Sequence, residues 1–92
     1  MATVVKRRGH EEEFDERKVY GSVYAACASA REDERTCETV ADAVTERVKS
    51  AAEGTGALPS EDIREMVRDE LAERDERLAF FYDKHLPDLD NL

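Results

Sequence analysis

The stretch Val4-Val5-Lys6-Arg7-Arg8-Gly9-His10-Glu11-Glu12-Glu13-Phe14-Asp15-Glu16-Arg17-Lys18-Val19 decides how the chain is built. Thr3-Val4-Val5 is β-branched and runs on into Lys6-Arg7, so it predicts a strand. Arg8-Gly9 predicts a tight turn, because glycine takes positive φ without a Cβ clash. His10 to Phe14 returns as a second strand. Asp15 is a good N-cap, and Glu16 places negative charge in the first helical turn. An isolated hairpin is marginal in water, so this one must lie on something else.

That something is helical. Val19, Val23, Ala26, Cys27 and Ala30 recur at i, i+4, i+7, i+8 and i+11, one apolar stripe flanked by Tyr20 and Tyr24. Helix 1 is expected over about 15–31. Arg31-Glu32-Asp33-Glu34-Arg35 reads as a polar link, or as an extension of that helix. Thr36 can cap helix 2, over 36–53, with the stripe Val40, Val44, Val48 and with Gly54 at its C′ position. Ser60 after Pro59 can cap helix 3, over 60–73, with Glu61 and Asp62 in its first turn and the stripe Ile63, Met66, Val67, Leu71. Helix 4, over 76–86, carries Leu78, Ala79, Phe81, Tyr82 and Leu86 and should stop before Pro87, with 87–92 a frayed tail. The expected class is α+β, mostly α: a hairpin at 3–14 and four helices in a single domain over 1–92.

Composition bounds the rest. Val, Ile, Leu and Phe number 18 of 92 residues, just under the ~20% that with high net charge suggests disorder. The helical spacing of those few residues and twelve alanines argue for a folded chain. Acids number 23 against 14 bases, and Arg outnumbers Lys ten to four. This is the habit of proteins that work in molar salt, where screening shortens the reach of self-repulsion to ~3 Å. No apolar run approaches the ~20 residues of a membrane span, and no secretory h-region follows Met1-Ala2-Thr3, which reads as cytoplasmic.

The charge is uneven. Residues 1–10 hold Lys6, Arg7 and Arg8 and no acid, whereas residues 11–92 hold 11 bases against 23 acids, net −12. A duplex nucleic acid would be repelled by that field. A small phosphorylated ligand needs only two or three cations close together.

Several chemistries find no support. There is no GxxxxGK[ST] P-loop, and Gly54-x-Gly56 follows a helix and lacks a third glycine. Cys27 and Cys37 stand ten apart with no CxxC and no His pair nearby, so zinc is not expected; they read as reduced core residues between helices 1 and 2. His10 and His85 lie at opposite ends of the chain, with no placed nucleophile. The chain does not read as an enzyme.

The pattern Val4-Val5-Lys6-Arg7-Arg8-Gly9-His10-x-Glu12-x-Phe14-Asp15-x-x-Lys18-Val19 resembles the opening of the ATP-cone, the nucleotide-sensing domain of ribonucleotide reductases and of the repressor family that controls their genes. Ser60-x-x-Ile63-x-x-x-Val67-x-x-x-Leu71 resembles its third helix, and Ala79-x-x-Tyr82 the end of its last. The resemblance covers about residues 3–86. It implies a hairpin lid over a four-helix bundle that binds ATP or dATP without hydrolysing it, with magnesium arriving on the nucleotide.

By the same resemblance, Lys6 and Arg7 would meet the phosphates from the strand and Lys18 from helix 1. The Val5 backbone would cover the adenine, and Glu12 would order the ribose or the magnesium. Arg64 stands where the family has a polar or His ligand, and Arg8 where it has Asp or Asn. Asp15, Ser60 and Lys84 join them as further candidates. With no reductase or zinc ribbon in this sequence, the implied output is a homo-oligomer or a protein partner such as the reductase or a regulator. Tyr20, Tyr24, Phe80 and Phe81 are the aromatics expected to lie exposed for such contact. The competing reading is an acidic helical interaction module of the same fold that no longer binds nucleotide.

Overall fold

The computed structural model describes residues 2–6 and 9–89, with side chains as far as Lys84. Arg7, Arg8 and the side chain of His85 lie outside the described residues. In chain order the elements are β1 (Thr3–Val5), β2 (Glu11–Glu13), α1 (Glu16–Ser29), α2 (Glu34–Thr55), β3 (Ala57–Pro59), α3 (Ser60–Arg74) and α4 (Glu76–Leu89). The class is the expected one, α+β and mostly helical, with one addition. A third strand, β3, pairs parallel with β1, so the sheet order is β2-β1-β3.

The hairpin closes where the glycine predicts. Gly9 has φ +88, its amide donates to the Lys6 carbonyl at 2.8 Å, and the Lys6 amide donates to the His10 carbonyl at 2.9 Å. Val4 then faces Glu12 in the antiparallel pair and Leu58 in the parallel one.

Asp15 caps α1 as expected, its carboxylate accepting from the Arg17 amide at 3.0 Å. Other boundaries differ from the sequence expectation. Asp33, not Thr36, caps α2, accepting from the Thr36 amide at 2.7 Å. An aspartate three residues upstream reaches that N–H directly, which draws Thr36 into the helix. Gly54 lies inside α2, and Gly56, at φ +88, is its C-cap. Ser60 is the first residue of α3 rather than its cap; Pro59 holds that place without a side-chain bond. The α4 backbone continues past Pro87 to Leu89. A proline there removes one amide bond, but its fixed φ is itself helical, so a final turn can follow.

The helices close a four-membered bundle, α1 packing on α2 and α4, and α3 on α4 and α2. The core is built of small residues: the largest fully buried side chains are Leu71, Val23, Val44, Val48, Val67, Cys27 and Cys37. Each buried valine or leucine contributes roughly 1.5–3 kcal/mol, so the total is modest for a domain this size. Of the four aromatics expected at the surface, only Phe80 is exposed, at 55%. Tyr20, Tyr24 and Phe81 are half-buried against the core, because α1 is packed on two sides and leaves its tyrosines at the seam.

Candidate functional site

The hairpin, the start of α1 and one face of α3 and α4 enclose a cavity of about 90 Å³. Its apolar wall is Val4, Phe14, Val19, Ile63, Val67 and Tyr82; its polar wall includes Lys6, Glu12, Lys18, Ser60 and Arg64. Period-two alternation in β1 explains why Val4 lines it and Val5 does not. Tyr82 is buried, and burial pushes its hydroxyl up to about 12 although Arg64 and Arg68 pull the other way. Ser60, also buried, reaches the cavity because α3 begins there.

Glu12 is the centre of the polar wall. Its Oε2 lies 3.4 Å from Lys6 Nζ and 4.0 Å from Lys18 Nζ, and its Oε1 lies 3.5 Å from His10 Nε2. Loss of solvent works to raise its carboxyl, but the Lys6 charge, hydrogen bonds from Lys6 and His10, and Lys18 together hold it below the ordinary value. Lys6 projects from the end of β1 and Lys18 from the first turn of α1, twelve residues apart in sequence but on one carboxylate in space.

A larger groove of about 770 Å³ adjoins the cavity, running between the hairpin, the start of α1 and the end of α2. Glu12, Glu13, Phe14, Asp15 and Lys18 line both spaces. On the groove's far side Lys49 Nζ meets Glu16 Oε2 at 3.0 Å. The cavity alone is smaller than the ~300–1,000 Å³ of ligand clefts; cavity and groove together reach that range.

Of the sequence candidates, the structure thus brings together Lys6, Glu12, Lys18, Ser60 and Arg64. Asp15 is on the rim, engaged with Arg17 as the α1 cap. Val5 does not line the cavity. Lys84 lies elsewhere, with Nζ 5.0 Å from the centre of the Phe80 ring. Arg7 and Arg8 fall outside the described residues. Sequence reading missed Val4, Phe14, Ile63 and Tyr82 as wall residues; strand alternation would have found Val4, whereas the others needed the bundle's packing. Among the described residues no group of three or more His, Cys, Asp or Glu is placed to hold a metal ion, and no helix is long and apolar enough to cross a membrane.

The family model of the ATP cone domain matches residues 2–82. The chain belongs to the ATP cone family. An ATP cone is a nucleotide-sensing, regulatory and non-catalytic domain whose ligands are ATP and dATP. No curated protein matches the chain. In this ATP cone the matched span takes in the whole hairpin, the cavity and every residue of its walls.

The site and the caps together predict how the ATP cone responds to acid. Glu12, Asp15, Asp33 and Asp75 are all held below their ordinary values of 4.5 for Glu and 3.8 for Asp: Glu12 by Lys6 against the effect of burial, Asp15 and Asp75 by the hydrogen bonds from Arg17 and Arg77, Asp33 by those from Thr36. A carboxyl depressed on folding stabilises the fold at pH above its unfolded value, and that contribution fades as pH falls through the folded value. In molar salt, where repulsion among carboxylates is screened, the urea midpoint is expected to hold steady at neutral pH and to fall once the pH drops below 4.5. A midpoint that rises on acidification would mean that relief of repulsion outweighs the loss of these bonds.

Proposed function

We propose that this ATP cone reads ATP or dATP in the cavity and groove beneath the hairpin, and signals occupancy through association with a second copy or with a protein partner, without catalysis. The observation that carries the reading is the meeting of Lys6 and Lys18 on Glu12, with Arg64 and Ser60 on the facing wall. Ammonium groups from two elements offer a phosphate charge-assisted bonds. A triphosphate takes the lysines over from Glu12, leaving that carboxylate to order the ribose or a magnesium ion carried by the phosphates. The apolar wall suits a base. A ligand of this kind is met in the cytoplasm, and the family's association with ribonucleotide reductases makes that enzyme or its regulator the first partner to try.

One observation favours the alternative, an interaction module that has lost its ligand. Among the described residues the cavity's lining holds Lys6, Lys18 and Arg64 together with Glu12, Glu13 and Asp15, as many acids as bases. Thermal melts in molar potassium chloride with magnesium separate the two. A ligand at 100 times its Kd adds ~2.7 kcal/mol, several degrees for a domain of this size. ATP or dATP is expected to raise the Tm, with GTP as comparison and light scattering on the same samples to follow association. An unmoved Tm with both adenine nucleotides would leave the interaction module standing.

A further inference from the structure

Two groups take no part in the nucleotide site: the thiols of Cys27 and Cys37. They are the chain's two cysteines, 0% and 1% exposed. Cys27 lies in the last turn of α1 and Cys37 in the first turn of α2. Both side chains belong to the buried cluster that α1 and α2 share, and Cys37 Sγ donates to the Glu32 carbonyl at 3.7 Å. Burial pushes the Cys27 thiol up to about 11 and raises Cys37 as well, so both stay protonated and inert while they are covered.

Beside Cys37 runs the short link between α1 and α2. Arg31 in that link has φ +64, the one positive φ outside glycine among the described residues and an uncommon conformation for a side chain with a Cβ. The Glu32 amide donates to the Cys27 carbonyl at 3.1 Å. The Glu32 carboxylate is held by Arg77 of α4 at 2.9 Å, and Arg77 also meets Asp75 at 2.7 Å. Arg77 is solvent-exposed, and exposed ion pairs are weak fasteners.

We propose that Cys27 and Cys37 form a modification site, an intramolecular disulfide made when the link opens to a low-molecular-weight disulfide such as oxidised glutathione. On exposure Cys37, in the first turn of a helix whose amide end favours an anion against the opposing charges of Glu32 and Asp33, loses its proton and attacks one sulfur of the oxidant. One thiolate of the oxidant leaves. The Cys27 thiolate then attacks the Cys37 sulfur of the mixed disulfide and releases the second. The protein gives up two protons and two electrons, and the oxidant becomes two thiols. The bond pins α1 to α2 at the end of α1 away from Lys18, about 14 Å along the helix.

The native chain is incubated with oxidised glutathione in molar potassium chloride and followed by intact mass and peptide mapping. The expected product is a monomer lighter by two hydrogens, with Cys27 joined to Cys37 and a Tm several degrees higher, because the unfolded chain is constrained. Glu32→Gln should form it severalfold faster with unchanged helical circular dichroism. A chain that stays reduced, or that ends as a glutathione adduct or an intermolecular dimer, overturns the site. Equal rates in Glu32→Gln and parent overturn the gating by the link.

Discussion

Diluted from molar potassium chloride into a few millimolar buffer, the chain is expected to lose much of its helical circular dichroism and to regain it when salt is restored. Residues 11–92 carry net −12 in a body of 35 × 24 × 19 Å. At 0.01 M salt the Debye length is ~30 Å, so each carboxylate feels nearly every other; at 1 M it is ~3 Å and only neighbours interact. The opposing term is small. The core is mostly valine and alanine, with one leucine among its fully buried large side chains. Ion pairs such as Arg68–Asp83 at 2.8 Å and Arg47–Glu70 at 2.9 Å weaken in salt, but exposed pairs contribute only ~0–1 kcal/mol each. Repulsion therefore decides the sign. Circular dichroism from 10 mM to 2 M salt, in the range set by screening, tests this; a constant signal would show that the core holds against the full charge and that the acidic surface has another origin.

Lys18→Ala is expected to weaken ATP binding tenfold or more while leaving the fold intact. A charge-assisted hydrogen bond contributes ~1.5–3 kcal/mol, and Lys18 Nζ stands beside Glu12 where cavity and groove meet. Its side chain is 47% exposed and lies off the buried stripe of α1. It also sits in the first turn of the helix, where the macrodipole disfavours a cation. Removing it should thus change stability by no more than ~0.5 kcal/mol. Calorimetric titration of parent and variant with ATP decides; equal affinities would reduce Lys18 to a partner of Glu12 alone.

The parts of this fold that were legible in the sequence are those where one residue has one job. Gly9 marks the turn because no other residue there takes positive φ so readily, and Asp15 marks the start of α1 because its oxygen reaches an orphan amide. The valine stripes gave the bundle. Lys6, Glu12 and Lys18 were named together only by the resemblance to the ATP cone, and in the structure the two lysines stand at one carboxylate. The misses come from competition among equivalent signals. Asp33 and Thr36 both cap well, and Gly54 and Gly56 both end helices. The strand Ala57–Pro59 has three residues, no alternation and a proline, which only an edge position tolerates. Lys84, a further candidate in the sequence, stands on α4 with its ammonium over the Phe80 ring.

That unanticipated strand has a mechanical consequence. β1 is the middle strand, bonded on one side to the returning arm of the hairpin and on the other to β3. The Thr3 amide donates to the Gly56 carbonyl at 2.9 Å, and β3 runs without a break into Ser60 and α3. Lys6, directly after β1, is therefore tied through one row of hydrogen bonds to β3 and to Gly56, the C-cap of α2. The hairpin and the junction of α2 and α3 are thus one connected piece, and under the proposed nucleotide reading a displacement of the hairpin would be felt by two helices at once.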